Sequence, residues 1–208
     1  MYYFIFGLIG LFLVWTVGSY LVIRNLEEPK YAVLETKSDY EIREYAPYLI
    51  AETRVTGNYD EATRQGFRII ADYIFGNNVS QSSIAMTAPV LENKASEPIA
   101  MTIPVLETET NSEERVISFV LPSEYTIATL PRPNNPEVNI REVGTRKVAA
   151  LKYTWYPTAA RAEAKKTELK NLLAQDGFVI AGDIQVARYN PPLSMPLMLR
   201  NEILIPLE

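Results

Sequence analysis

Residues 40–55 read YEIREYAPYLIAETRV, and residues 138–153 read VNIREVGTRKVAALKY. Ile42-Arg43-Glu44 and Ile140-Arg141-Glu142 match at a spacing of 98, and at that spacing Ile50-Ala51 faces Val148-Ala149. The stretches after the two copies are alike too. After the first, Tyr59, Ala62, Gly66, Phe67, Ile70, Tyr73 and Ile74 recur at helical spacing. Asn58 with Glu61 suits a capping box, and Gly76 suits a stop. After the second, Pro157 fits a helix start, Ala162, Leu169, Leu172 and Leu173 make the apolar stripe, and Gly177 ends it. Residues 115–122, 183–190 and 201–207 read as strands. An internal repeat of this length restricts the fold to two like units. Each half therefore reads strand–strand, helix, strand–strand, an α+β arrangement. The Pro-rich LPRPNNP at 130–136 reads as the unpacked hinge between them.

A shorter repeat lies inside the first half. SIAMTAPVLE at 83–92 and PIAMTIPVLE at 98–107 share eight of ten positions, fifteen residues apart. Pro has no N–H to give a central ladder, so each copy is expected as an edge or bulged strand. The intervening NKASEP predicts a turn, and a hairpin would bring Met86 near Met101. Both Met residues read as core gap-fillers, with an apolar ligand groove as the alternative.

Composition excludes several chemistries. The chain of 208 residues has no His and no Cys, and its net charge is −5. No imidazole base, Ser-His-Asp triad, thiolate nucleophile, disulfide or ordinary zinc site can be built from it. The acidic balance and the lack of a basic patch argue against nucleic acid as a partner. No phosphate cradle or activated nucleophile is present, so the chain does not read as an enzyme. Glu44, Glu52 and Glu142 could act as acids or bases if buried, but alternating strand positions more often face solvent.

The first 23 residues carry no charged side chain. At 1.5 Å per residue such a run crosses a hydrocarbon layer of about 30 Å. Residues 1–24 are thus expected as a membrane anchor, or an uncleaved signal, and 25–30 as a linker to a domain at 31–208. A cleaved signal is the alternative, although the run lacks a basic leading region. Arg24, Lys30, Lys37 and Arg43 come after the run and nothing basic precedes it, which favours a single-pass protein with a cytoplasmic domain.

Several phrases together resemble the SOUL haem-binding protein family: YEIREYAPYLIAET, FRIIADYIFGNN, the doubled IAMTxPV, SFVLPSEYTIATLPRPNNPEVNIREV and ARYNPPLSMPLMLRNEILIPL. They span almost all of residues 31–207. The resemblance implies two pseudo-symmetric repeats, about 31–130 and 137–208, each giving one helix and about four antiparallel strands to a distorted barrel-like sheet. It also implies haem or another porphyrin as ligand, buffered or carried. With no His, the ligation left open is by Met86, Met101, Met195, Met198 or Tyr73, or by no axial group at all. An apolar groove beside the first helix suits this sequence better. There Phe67, Ile70 and Tyr73 would offer surface, and Arg64 and Arg68 would reach propionates, with pairing to Asp60, Glu61 or Asp72 as the alternative. The cofactor-binding set is then Arg64, Phe67, Arg68, Ile70, Tyr73, Met86 and Met101, with no catalytic or metal residues. Two other readings stay open: a small-ligand or hydrolytic domain akin to bacterial effector-binding modules, and a membrane-tethered scaffold with a filled groove.

Overall fold

The computed structural model describes residues 2–24, 26–80, 96–110, 114–191 and 194–208. A helix α1 (Tyr2–Ile23) leads into β1 (Tyr31–Thr36), β2 (Glu41–Tyr45) and β3 (Tyr48–Thr56). Then come α2 (Tyr59–Ile74), β4 (Asn78–Val79), β5 (Val105–Glu109), β6 (Glu114–Val120) and β7 (Arg132–Pro133). The chain closes with β8 (Asn139–Val143), β9 (Arg146–Tyr153), α3 (Ala159–Gln175), β10 (Gln185–Arg188) and β11 (Asn201–Pro206).

Nine strands form one antiparallel sheet in the order β1-β2-β9-β11-β10-β5-β6-β3-β8. β2 and β8 begin 98 residues apart, and so do β3 and β9. With those pairs matched, and β5 with β10 and β6 with β11, the eight strands from β2 to β8 read the same from either end. The midpoint is the contact of β10 with β5, where Val186 faces Glu107. The sheet curls strongly: Tyr45 of β2 and Val143 of β8, from opposite ends, share one buried cluster with Ile50, Leu106, Val148 and Leu204. That cluster fills the inside of the half-barrel. The helices α2 and α3 pack on the outside.

Each of these helices has a local reason to form where it does. The Asn58 side chain accepts a hydrogen bond from the Glu61 N–H at 3.0 Å, and Asp60 and Glu61 sit in the first turn, where the helix dipole favours anions. Ala62, Gly66, Ile70 and Ile74 fall on one face at i, i+4 spacing and are buried against Ala51, Val55, Ile117 and Phe119. Gly76, at φ 119°, ends the helix in a conformation costly to other residues. For α3, Thr158 is the cap, and Leu169 and Leu173 are fully buried against Leu151, Ile203 and Ile205. Each such side chain contributes about 1.5–3 kcal/mol.

At Gly66 the helix comes so close to the sheet that a Cβ would lie 2.4 Å from Ile117 Cγ1 and 2.7 Å from its Cβ. Ile117 is fully buried and β-branched, so it cannot swing away. Gly66→Ala is expected to destabilise by about 2 kcal/mol, a fall in Tm of roughly 4–8 °C, despite the better helix propensity of Ala. A thermal melt showing equal or higher Tm would contradict this packing.

Three expectations are corrected by the structure. The second copy of the doubled phrase does not make an edge strand. It feeds β5, which lies between β10 and β6. Pro104 precedes the first ladder residue, Val105, so its missing N–H falls outside the ladder. Met101 is 36 % exposed and fills no core gap. The first copy, with Met86 and the expected hairpin, lies outside the described residues. The hinge at 130–136 is packed: β7 pairs with β4, Leu130 is buried, and Pro131 O accepts the Tyr73 hydroxyl at 2.8 Å.

The third correction concerns the membrane. Among the described residues no helix is long and apolar enough to cross a membrane. This overturns the single-pass, cytoplasmic-domain reading. The end of α1 instead engages the domain. Ser19 is buried and its Oγ accepts the Met195 N–H at 3.0 Å, while the Thr16 hydroxyl meets Met195 Sδ at 3.3 Å.

A candidate ligand cleft between the two helices

On the outer face of the sheet, where β5 meets β10, lies a buried polar cluster. Glu107 on β5 is 3 % exposed. Its carboxylate accepts from Arg188 Nη2 at 2.6 Å, Arg115 Nη1 at 2.9 Å and Thr63 Oγ1 at 3.3 Å. Both guanidinium groups stand 5.2 Å from the centre of the Tyr59 ring, a cation–π arrangement. Glu109, two residues on along β5, holds Lys166 Nζ at 3.0 Å. Lys166 occupies a place in the inward stripe of α3 otherwise taken by Ala162, Leu169 and Leu173. Burial raises the Glu107 carboxyl above its ordinary range, against the pull of Arg188 and Arg115.

Above this floor opens a cleft of about 410 Å³, within the range of small-molecule sites. Its first wall is the start of α2, with Tyr59, Asp60, Thr63 and Arg64. The second is the turn into α3, with Tyr156, Pro157 and Thr158. Arg188, Asn190, Leu199 and Asn201 close the base. The walls are tied together, since the Tyr59 hydroxyl donates to Pro157 O at 2.8 Å. Trp155, beside Tyr156, has φ 76°, which for a bulky residue costs about 1–3 kcal/mol. Two bonds hold it there: its N–H donates to Pro196 O at 3.1 Å, and Asn201 Nδ2 donates to its O at 2.8 Å. Its ring meets Tyr156 edge-on at 6.2 Å, and both are 43 % exposed.

Inside the half-barrel lies a second buried network. Glu202 is fully buried and accepts from Arg43 Nη1 at 2.7 Å, Arg200 Nε at 3.1 Å and the Tyr189 hydroxyl at 2.8 Å. Burial acts to raise the Glu202 carboxyl, but Arg43 and Arg200 outweigh it and hold the group below its ordinary range. A hollow of about 360 Å³ opens nearby at the barrel end, bordered by Glu27, Glu28, Lys30 and Glu142. Its border mixes carboxylates with Lys30, and Glu28 there is paired with Arg200 at 2.9 Å.

Of the residues singled out from the sequence, Arg64 lines the cleft. Arg68 is exposed farther along α2, and Phe67 packs its ring 5.1 Å from Phe119. Ile70 and Tyr73 lie in the core beneath α2. Met101 is in the segment before β5, away from the cleft lining. Glu44 and Glu142 are exposed and Glu52 pairs with Arg141 at 2.9 Å. Sequence reasoning missed Glu107, Arg115, Arg188, Tyr59 and Tyr156. A signal was present: Glu107 and Arg188 are charged residues within runs otherwise written for buried strands.

Comparison with known proteins identifies the family. The family model described as "SOUL heme-binding protein" matches residues 26–206. Heme-binding protein 2 of Homo sapiens is 30 % identical over 167 residues, covering 79 % of this chain and 76 % of that one. Heme-binding protein 1 of Xenopus laevis is 24 % identical over 165 residues, covering 79 % and 81 %. Among solved structures, the EcmrR C-terminal domain superposes with a TM-score of 0.60 at 7 % identity, over 86 % of this chain and 98 % of that one, a likeness of fold alone. With the match running from the linker to the last strand, the chain belongs to the SOUL haem-binding protein family.

Proposed function

We propose that the domain, residues 31–208 built from two related halves, binds haem or a related tetrapyrrole as cargo in the cleft between α2 and the turn into α3. The observation that carries this is the pairing of aromatic walls with a donor-rich base. Tyr156 offers an exposed ring beside Pro157 and Leu199, the buried Tyr59 ring, already faced by two guanidinium groups, backs the other wall, and Arg64 at the rim and Arg188 at the base suit carboxylates. The family and its haem-binding relatives support the same ligand.

The cleft suits binding without an axial ligand from the protein. Among the described residues no Met lines it, and the chain has no His or Cys. Burial pushes the Tyr59 hydroxyl up to about 12 and also raises Tyr153, which disfavours the phenolate form, and the Tyr59 hydroxyl is already given to Pro157 O. Bound haem would supply iron and a planar ring; the residues supply stacking, charge and exclusion of water. The rival reading, a hydrolytic site on a buried glutamate, meets a Glu107 already bonded to two guanidinium groups and a hydroxyl. That is the setting of a structural carboxylate, not of a free base.

Titration of the full chain with haemin, followed by the Soret band, tests the reading. Saturable binding is expected, with iron-free protoporphyrin bound within about threefold of haemin, because the metal adds no protein bond. Tyr156→Ala is expected to weaken both by about tenfold. Affinity that collapses on removal of the iron, or that ignores Tyr156→Ala, would refute it.

A further inference from the structure

Among the described residues, three buried donors at or beside the base of the cleft have no partner. They are the Tyr153 hydroxyl, Arg188 Nε and Asn190 Nδ2. Their placement comes from the register. Tyr153 on β9 faces Asn201 on β11, which faces Arg188 on β10, so the three share one row on one face of the sheet. Asn190 is two residues beyond Arg188, and its Oδ1 is already taken by the Arg200 N–H at 2.6 Å. The other end of the Arg188 guanidinium is taken by Glu107 at 2.6 Å. Tyr153 is 6 % exposed and lies within electrostatic reach of Tyr59, Arg188 and Glu107. Burying a donor with no acceptor costs about 1–3 kcal/mol. Two such donors on one row, with the third two residues beyond, make a place that lacks an acceptor.

The acceptor that fits is a carboxylate. It brings two oxygens and about four lone pairs, and no proton to clash with N–H or O–H groups. A metal ion or an organic cation would meet donors and a guanidinium.

Resting on the tetrapyrrole reading, we propose that Tyr153, Arg188 and Asn190 form a carboxylate subsite, so that the cleft selects tetrapyrroles keeping a free carboxylate, whatever their metal. Protoporphyrin IX and its dimethyl ester, titrated into the full chain by absorbance and fluorescence, separate the two claims. The free acid is expected to bind at least about tenfold more tightly than the ester, the effect of one charge-assisted hydrogen bond. Tyr153→Phe is expected to cost the acid about tenfold and the ester clearly less, because an ester carbonyl accepts only a weaker, neutral hydrogen bond. The variant removes only a hydroxyl that has no partner, so its Tm without ligand should equal or exceed that of the wild type. Equal binding of acid and ester, or an acid affinity indifferent to Tyr153→Phe, overturns the subsite and leaves the cleft reading standing. If neither compound binds the wild type, both readings fall.

Discussion

Glu202→Ala is expected to lower stability by about 3–5 kcal/mol, because the buried Arg43 guanidinium and the half-buried Arg200 guanidinium lose their shared carboxylate. Arg43 is held by it at 2.7 Å and Arg200 at 3.1 Å, and Tyr189 gives its hydroxyl to the same group. Since domains of this size hold about 5–15 kcal/mol in all, urea unfolding should show a large drop in midpoint with little change in slope. A midpoint near that of the wild type would mean that the network contributes little.

The pH dependence has a defined sign. The Glu202 carboxyl is held below its ordinary value in the folded state, chiefly by Arg43 acting against burial. Its contribution is therefore complete above the ordinary carboxylate pKa and is lost as pH falls through the lower, folded value. Glu107 runs the other way. Its folded value is raised by burial, so a stability cost appears as pH rises from the ordinary value through the folded one. Glu202→Gln should flatten the acid limb of a stability profile. Unaltered acid sensitivity would point to other carboxylates.

The pair Arg43 and Arg141 shows what the repeat can and cannot convey. The spacing of 98 marked β2 with β8 and β3 with β9, and the helices after them. It also marked Arg43 and Arg141 as equivalent. Their surroundings differ: β1 covers β2, and Tyr31 stacks 4.5 Å from the Arg43 guanidinium, whereas β8 ends the sheet and Arg141 stays half-exposed. Local pattern carries element and face, but not which strand a third strand will cover. The same holds for the site. The phrase ARYN at 187–190 and LRNE at 199–202 stood out as a signature. Only strand pairing shows why. Arg188 reaches Glu107, Tyr189 and Arg200 reach Glu202, and Asn201 pins Trp155. These partners lie up to 81 residues apart, beyond the reach of periodicity. Phe67, Ile70 and Tyr73 were read on the right helix, but its apolar stripe turned to the core, as amphipathic stripes do.

Arg188→Ala is the second large effect expected. On the fold it should cost about 1–3 kcal/mol, since Glu107 keeps Arg115 and Thr63 as partners. On binding it should cost roughly 10–100-fold, what loss of a charge-assisted bond removes. Arg188→Lys keeps the charge but not the fork, so it should recover only part of the loss. Glu202→Ala gives the contrast: it weakens the fold from within the barrel, and in conditions where the variant is folded it should leave porphyrin affinity unchanged. If Arg188→Ala bound porphyrin as the wild type does, the base of the cleft would have no part in recognition.

The claim on which everything turns is that a planar tetrapyrrole sits between the two halves without an imidazole. Backbone amide shifts of the full chain, recorded with and without saturating iron-free protoporphyrin, test it most directly. The account predicts that the largest changes cluster at residues 59–64, 155–158, 188–190 and 199–201. Changes confined to the barrel end around residues 120–127, or none at all, would contradict it.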